Sequence, residues 1–315
     1  MNIINENITI YNDDCFNIFD QIPKGSVDLI LTDPPYGNMK GINNKKFLKL
    51  GLTQFDWDNS LDFTKIFIDL KNIIRQNGKI VLFSQEPLTS NLVLFKDDCI
   101  KFNYKMIWLK DHFANPLMSN KAPVSYFEDI CVFSKVYDNL LINPLRKYSK
   151  EILEYLNCSS TSINRKLGHR GMEHFFSVNT NQFSLPSEKI YLEFINVYNL
   201  NKWNLLKSYE DLVRVNKKYL SVFNKETNIK SNVLNYKKDY SNLHPTQKPI
   251  LLLEDLIKTY TYEGDTVLDF TAGSFSTAIA CINTNRKFIG IEKDSNYVTI
   301  GKNRILNHLN DLKLF

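Results

Sequence analysis

Apolar and polar positions change their rhythm twice along this chain. Over the first 135 residues, short apolar runs of strand length alternate with amphipathic stretches of helix length. Val27-Asp28-Leu29-Ile30-Leu31-Thr32 is one such run, and it ends in Asp33-Pro34-Pro35-Tyr36. Pro34 disfavours a helical Asp33, so a strand stops there and a rigid extended turn follows. The pattern then predicts a helix over Asp62–Arg75 and a strand at Lys79–Ser84 introduced by Asn77-Gly78, with further strands at Tyr104–Leu109 and Asp129–Ser134.

From about Val136 to Leu243 the pattern turns helical, basic and aromatic, with loop-like stretches at Ser177–Ser187 and Asn224–Asn242 and a helix at Glu188–Tyr198. The alternation then returns as a helix at Leu251–Thr259, a strand at Thr266–Phe270, a helix at Ser276–Ile282 and a strand at Lys287–Ile291. An α/β sheet domain interrupted by an insertion is the simplest account. Residues 1–135 form its first part, 136–243 the insertion and 244–315 its second part.

Composition adds little to the fold but narrows the setting. With 315 residues, 43% hydrophobic and 23% charged, the chain has an ordinary globular make-up and room for a full core. Its five cysteines, Cys15, Cys99, Cys131, Cys158 and Cys281, are scattered and form no CxxC pair, so neither a disulfide framework nor a zinc site is expected. Met1–Ile10 lacks the features of a signal peptide, and no apolar run reaches membrane-spanning length; a cytoplasmic protein without a membrane partner is expected. The net charge of +5 is unevenly spread. Between Val136 and His244 there are 16 Lys and Arg against 10 Asp and Glu, leaving 23 against 24 elsewhere. A phosphate-binding region has that distribution, and so does a merely solvated surface.

Two turns carry candidate chemistry. In Asp33-Pro34-Pro35-Tyr36, a carboxylate and the fixed carbonyl of Pro34 can both accept from the N–H groups of an exocyclic amine, pulling its nitrogen toward tetrahedral geometry. Tyr36 offers a face on which an extruded base can stack. No metal is needed for that. A surface turn would also use Asp-Pro-Pro, but ligands in open α/β sheets bind beyond strand carboxyl ends, where this one lies. The second turn is Leu268-Asp269-Phe270-Thr271-Ala272-Gly273-Ser274-Phe275-Ser276-Thr277, a strand, a small-residue turn and a helix start, at which a cofactor can approach backbone N–H groups. Glu292, ending the next strand, suits ribose hydroxyls. A plain connection explains the glycine turn alone; Glu292 favours the cofactor reading. In His244-Pro245-Thr246-Gln247-Lys248-Pro249, the Thr246 and Gln247 side chains can hydrogen-bond and Lys248 can pair with a carboxylate, while Pro249 also suits a helix entry.

Together these elements resemble the amino-directed DNA methyltransferases in their β-type permutation, where the catalytic motif comes first, a target-recognition insertion follows and the cofactor motif comes last. The resemblance covers the chain outside the insertion. It implies a Rossmann-like, mostly parallel sheet with one antiparallel strand, S-adenosylmethionine (SAM) as cofactor, and methylation of adenine N6 in double-stranded DNA by base flipping. Asp33, Pro34, Pro35 and Tyr36 match the catalytic motif. Asp269, Phe270, Thr271, Gly273, Ser274, Ser276 and Thr277 match the cofactor motif, with Glu292 as the ribose acid and His244, Thr246, Gln247 and Lys248 in the motif before it. Asn12-Asp13-Asp14-Cys15 is similar to the family's Gly-Asp-Cys without its glycine, which implies that Asp14 faces the SAM adenine. Phe55-Asp56-Trp57-Asp58 is similar to the family's Trp-Asp pair. Where the family usually reads Gly-Ser-Gly, this chain has Gly273-Ser274-Phe275; the ring either narrows the cofactor pocket or points into the core with the backbone path kept.

Within the insertion, residues 150–168 resemble a helix-turn-helix. Ile152, Tyr155 and Leu156 would face inward from its first helix, and Ile163 and Leu167 from its second. Ser160, Thr161, Asn164 and Arg165 would then be exposed to read base edges, with Arg170 following as a further DNA contact. A helical hairpin that only packs the insertion gives the same pattern. The resemblance leaves open a homodimer and an accompanying restriction endonuclease. Rival readings are methylation of cytosine N4, which in the family more often goes with Ser at position 33; an RNA or protein-amide substrate; and a DNA-binding regulator or inactive partner subunit, which Phe275 would favour.

Overall fold

The computed structural model describes residues 2–36, 61–114, 120, 122–136, 143–180, 182–217, 219, 222–224, 230–239 and 247–313. It divides into two compact units, one of Met1–Val136 with Ser221–Phe315 and one of Tyr137–Leu220.

The first unit is built on a sheet of nine strands among the described residues. They are β1 (Asn2–Asn5), β2 (Ile8–Asn12), β3 (Val27–Thr32), β4 (Ile74–Ser84), β5 (Ile100–Ala114), β6 (Ser125–Lys135), β7 (Val233–Asn235), β8 (Thr266–Asp269) and β9 (Lys287–Glu292), in the order β1-β2-β9-β8-β3-β4-β6-β5-β7. From β2 to β4 all neighbours are parallel. β6 runs antiparallel between β4 and β5, as the single reversed strand that was expected, and β7 lies parallel to β5. A second reversed strand, β1, closes the other edge as a hairpin with β2.

The central strands read as unbroken apolar runs because both of their faces are covered. Leu29, Leu31, Val81 and Phe83 enter one core cluster, while Ile30, Ile80 and Leu82 enter the other. Helices α8 (Ile250–Tyr260), α9 (Ser276–Asn283) and α10 (Ser295–Lys313) cover the first face through Leu252, Leu256, Ala278 and Ile305. Helices α1 (Phe63–Ile73) and α2 (Leu88–Leu94) cover the second through Ile66, Phe67, Leu70 and Leu92. Asn77-Gly78 does not introduce β4 but sits in a bulge within it. The register jumps there from Val27↔Ile74 to Leu29↔Lys79, and Asn77 takes φ 60°. A Cβ on Gly78 would stand 3.0 Å from the Asp28 carbonyl oxygen, so the bulge closes on glycine alone.

The second unit is helical: α3 (Pro144–Leu156), α4 (Ser160–Leu167), α5 (Glu173–Phe176), α6 (Glu188–Tyr198) and α7 (Tyr209–Lys217). Its own core gathers Leu145, Tyr148, Ile152, Ile163, Phe175, Tyr191 and Phe194. The stretch after Leu220, read from sequence as the end of the insertion, belongs with the sheet instead. Part of the expected loop 224–242 is β7, whose three residues bury only Leu234 and so leave no periodicity to read.

Candidate active site

The parallel strands β2, β9, β8 and β3 end at one edge of the sheet, and the candidate residues collect along it. β3 ends at Thr32, whose hydroxyl donates to Asp269 Oδ1 (2.7 Å) and lies 2.6 Å from the Thr271 hydroxyl. Thr271 in turn donates to the Asp33 carbonyl oxygen at 3.1 Å. The β3 turn is thereby tied to the turn after β8. Asp269 is buried and also accepts from the Thr277 hydroxyl (2.6 Å) and the Thr271 N–H (3.2 Å). Burial pushes its carboxyl up to about 6 against the opposing pull of Thr277 and Thr32.

Asp33 stands at the centre of a buried charged cluster. Its Oδ1 accepts from the Tyr36 hydroxyl at 2.6 Å and its Oδ2 from the ammonium of Lys248, which is 6% exposed. Lys248 Nζ also lies 3.2 Å from Glu128 Oε2 and 5.0 Å from the centre of the Phe83 ring. Glu128 Oε1 pairs with Lys110, itself over the Trp108 ring. Burial raises the Asp33 carboxyl above its ordinary range; Lys248 opposes this and Glu128 adds to it. For Glu128 burial acts the same way but loses to Lys248 and Lys110, which hold that carboxyl low. Lys248 is desolvated too, yet Asp33 and Glu128 keep its ammonium above the usual lysine range. The phenol of Tyr36 is pushed well up by burial and then by both carboxylates.

At the glycine turn, Glu292 Oε2 accepts from the Gly273 N–H (2.8 Å) and Oε1 from the Asp294 N–H (2.9 Å). Burial raises its carboxyl, opposed by those backbone donors. Phe275 takes the left-handed conformation, φ 60° and ψ 35°, directly before α9. Its fully buried ring packs edge-on against Phe288, their centroids 6.2 Å apart. Gly290 and Gly301 make room, for a Cβ on Gly290 would come within 2.8 Å of that ring and one on Gly301 would overlap it. Of the two alternatives read from sequence, the ring therefore takes the core. Phe270, Ser274 and Ser276 are buried around the same turn. Arg304 of α10 braces it, donating to the Ser274 carbonyl oxygen and the Ser276 hydroxyl, each at 2.9 Å.

Asp14 caps the short 3-10 turn Cys15–Asn17 and pairs with Lys293 at 3.1 Å. With Asn12, Asp13, Phe16 and Asn17 these two line a pocket beside the ends of β2 and β9. Gln247 is buried next to Lys248. His244, Pro245 and Thr246, together with Gly37 and residues 55–58, lie outside the described residues.

In the second unit, α3 ends at Asn157 in the left-handed conformation, and Ser159 caps α4 by accepting from the Ser162 N–H at 3.2 Å. Ile152, Ile163 and Leu167 are buried as expected. Tyr155 is not: it is 50% exposed, because α3 begins at Pro144 and buries Leu145, Tyr148, Ser149 and Ile152, leaving Tyr155 at the margin, stacked on Trp203. Thr161, Arg165 and Arg170 are exposed, while Ser160 and Asn164 of α4 are half-buried. Arg170 is paired with Glu173.

Glu128, Lys110 and Arg304 were not singled out from sequence. The readable signal for Lys110 is register: Met106 and Trp108 point inward along β5, so the next position of that phase is a lysine where an apolar residue belongs. Glu128, opposite Trp108 on the inward phase of β6, is the acid that pairs with Lys110 diagonally.

A family model described as DNA methylase matches residues 27–303. The chain belongs to that family. It is a SAM-dependent DNA methyltransferase of the N6-adenine or N4-cytosine type. Among relatives, the methylase is 37% identical over 299 residues to the type II methyltransferase M.HpaI of Haemophilus parainfluenzae, covering 92% of this chain and 71% of that protein. It is 26% identical over 311 residues to the DNA adenine methyltransferase YhdJ of Escherichia coli, covering 96% and 83%. The crystal structure of the M1.HpyAVI–SAM complex superposes with a TM-score of 0.52 at 20% identity, covering 94% of this chain and 99% of that one. No helix among the described residues of the methylase is long and apolar enough to cross a membrane.

Proposed function

We propose that the methylase modifies N6 of adenine at a specific site in double-stranded DNA, with the target base flipped out to the turn at the end of β3. The observation that carries this reading is the Asp33 carboxylate, half-buried beside Tyr36 and fixed at its backbone by the Thr271 hydrogen bond. Asp33 and the Pro34 carbonyl accept the two N–H bonds of the amine and aim its lone pair, and Tyr36 stacks on the base. Catalysis is then mostly placement. Activity on adenine is supported by the carboxylate at position 33 and by the similarity to YhdJ, a DNA adenine methyltransferase.

SAM, when bound, supplies the electrophilic methyl group. The residues present fit it: the Phe275 ring leaves the strand end clear, and Glu292 offers carboxylate oxygens beside the glycine turn. Asp14, Gln247, Asp269, Phe270, Thr271, Gly273, Ser274, Ser276, Thr277 and Glu292 would hold the cofactor, with His244 and Thr246 from the segment before α8. Lys248, read from sequence as a partner for the methionine carboxylate, is paired here with Asp33 and Glu128. The order of the motifs supports the β-type permutation. Ser160, Thr161, Asn164, Arg165 and Arg170 are the proposed DNA contacts, Thr161 and Arg165 from the exposed side of α4.

Sequencing that detects modified bases, applied to DNA from cells expressing the protein, should find N6-methyladenine at one short recognition sequence. N4-methylcytosine in its place would reassign the target base.

A further inference from the structure

Both oxygens of Asp33 are occupied: Oδ1 by the Tyr36 hydroxyl and Oδ2 by Lys248. Each oxygen keeps a second lone pair, but an amine that takes the place of the ammonium on Oδ2 requires Lys248 to yield. A buried ammonium cannot do so unaided, because an unpaired charge in the interior costs several kcal/mol. Glu128 meets that need. Its Oε2 lies 3.2 Å from the same Lys248 Nζ and 3.5 Å from the Tyr36 hydroxyl, so it already touches both partners of Asp33. Its Oε1 is held separately by Lys110, which is 9% exposed, and this pins the carboxylate in place.

We propose that Glu128 is a positioning residue, a second berth for Lys248, which swings from Asp33 to Glu128 when the substrate amine arrives. Asp33 Oδ2 is freed and the charges of the pocket stay balanced throughout. Two acids and two lysines meet around Tyr36, and the Lys248 ammonium travels only between anions it already contacts. The low pKa of the Glu128 carboxyl, set by burial opposed by the two lysines, keeps the berth charged. This inference rests on the reading of Asp33 as the amine's acceptor.

The test compares the full-length wild type with Glu128→Gln and Glu128→Asp. Methyl incorporation from tritiated SAM into unmethylated DNA gives kcat and KM, and calorimetry gives SAM affinity. The glutamine variant should lose at least about 30-fold in kcat while its KM for SAM stays within about threefold, since the lost interaction serves turnover rather than cofactor binding. The aspartate variant keeps the charge and should retain at least roughly a tenth of wild-type kcat. A purely structural tie between β5 and β6 gives the opposite order, because glutamine preserves shape and aspartate does not. Glutamine equal to or better than aspartate would therefore overturn the proposal. A wild-type complex with a SAM analogue and a duplex carrying the recognition sequence gives a check that needs no variant: Lys248 Nζ should lie closer to Glu128 than to Asp33, and retention on Asp33 would overturn the proposal. Asp33→Ala in the same assay separates the two ideas, since turnover there defeats the reading of Asp33 whatever Glu128 does.

Discussion

Asp269 illustrates how a single buried carboxylate links the architecture to a measurable property. Burial holds its pKa at about 6, above the 3.8 usual for an aspartate, so the folded state binds its proton more tightly than the unfolded chain does. The destabilisation is therefore fully present above the folded pKa and fades as pH falls through it. Between pH 7 and pH 5, wild-type stability should rise relative to Asp269→Asn, by up to about 3 kcal/mol over the full titration. Urea melts of the two proteins at a series of pH values check this, and parallel curves would contradict it. At this scale the sequence was legible where chemistry is local. Asp33-Pro34-Pro35-Tyr36 announces itself because a strand ends in a turn of distinctive residue types. Glu128 and Arg304 do not, since each acts through a partner more than twenty residues away, Lys248 and Ser274 respectively, and no local pattern encodes such a pairing.

The elements were read well where both faces of a strand are apolar, as in β3 and β8, and poorly where pairing extends past the core. β5 runs to Ala114 and β6 starts at Ser125, well beyond the expected Tyr104–Leu109 and Asp129–Ser134, because backbone pairing carries these arms where side chains are exposed. The turn between β8 and α9 is a different lesson. Its departure from the small-residue pattern is absorbed by the element behind it, where Gly301 of α10 gives its volume to the Phe275 ring. Gly301→Ala should therefore overpack the site and destabilise the protein by about 2 kcal/mol. In a Phe275→Gly background, where the space is empty and the left-handed backbone suits glycine, the same change should cost less than half as much, a coupling that a double-mutant cycle measures. Equal costs in both backgrounds would show that ring and helix are not matched.

For the whole molecule, a nine-stranded sheet among the described residues brings together residues that are hundreds of positions apart in the chain: Thr32 and Asp269 meet at two strand ends, and Asp33 meets Lys248 just before α8. A mostly parallel sheet and a separate helical unit followed from periodicity and the resemblance. The far boundary of that unit did not, because the polar stretch after Leu220 carries a strand too short to leave a pattern. Everything proposed for the reaction converges on one carboxylate that lies at this junction. The most direct measurement pairs SAM calorimetry with nucleoside mass spectrometry of treated DNA for the wild type and Asp33→Ala. The account predicts N6-methyladenine from the wild type only, with SAM bound by both proteins at affinities within about threefold. Undiminished N6-methyladenine from Asp33→Ala would contradict it.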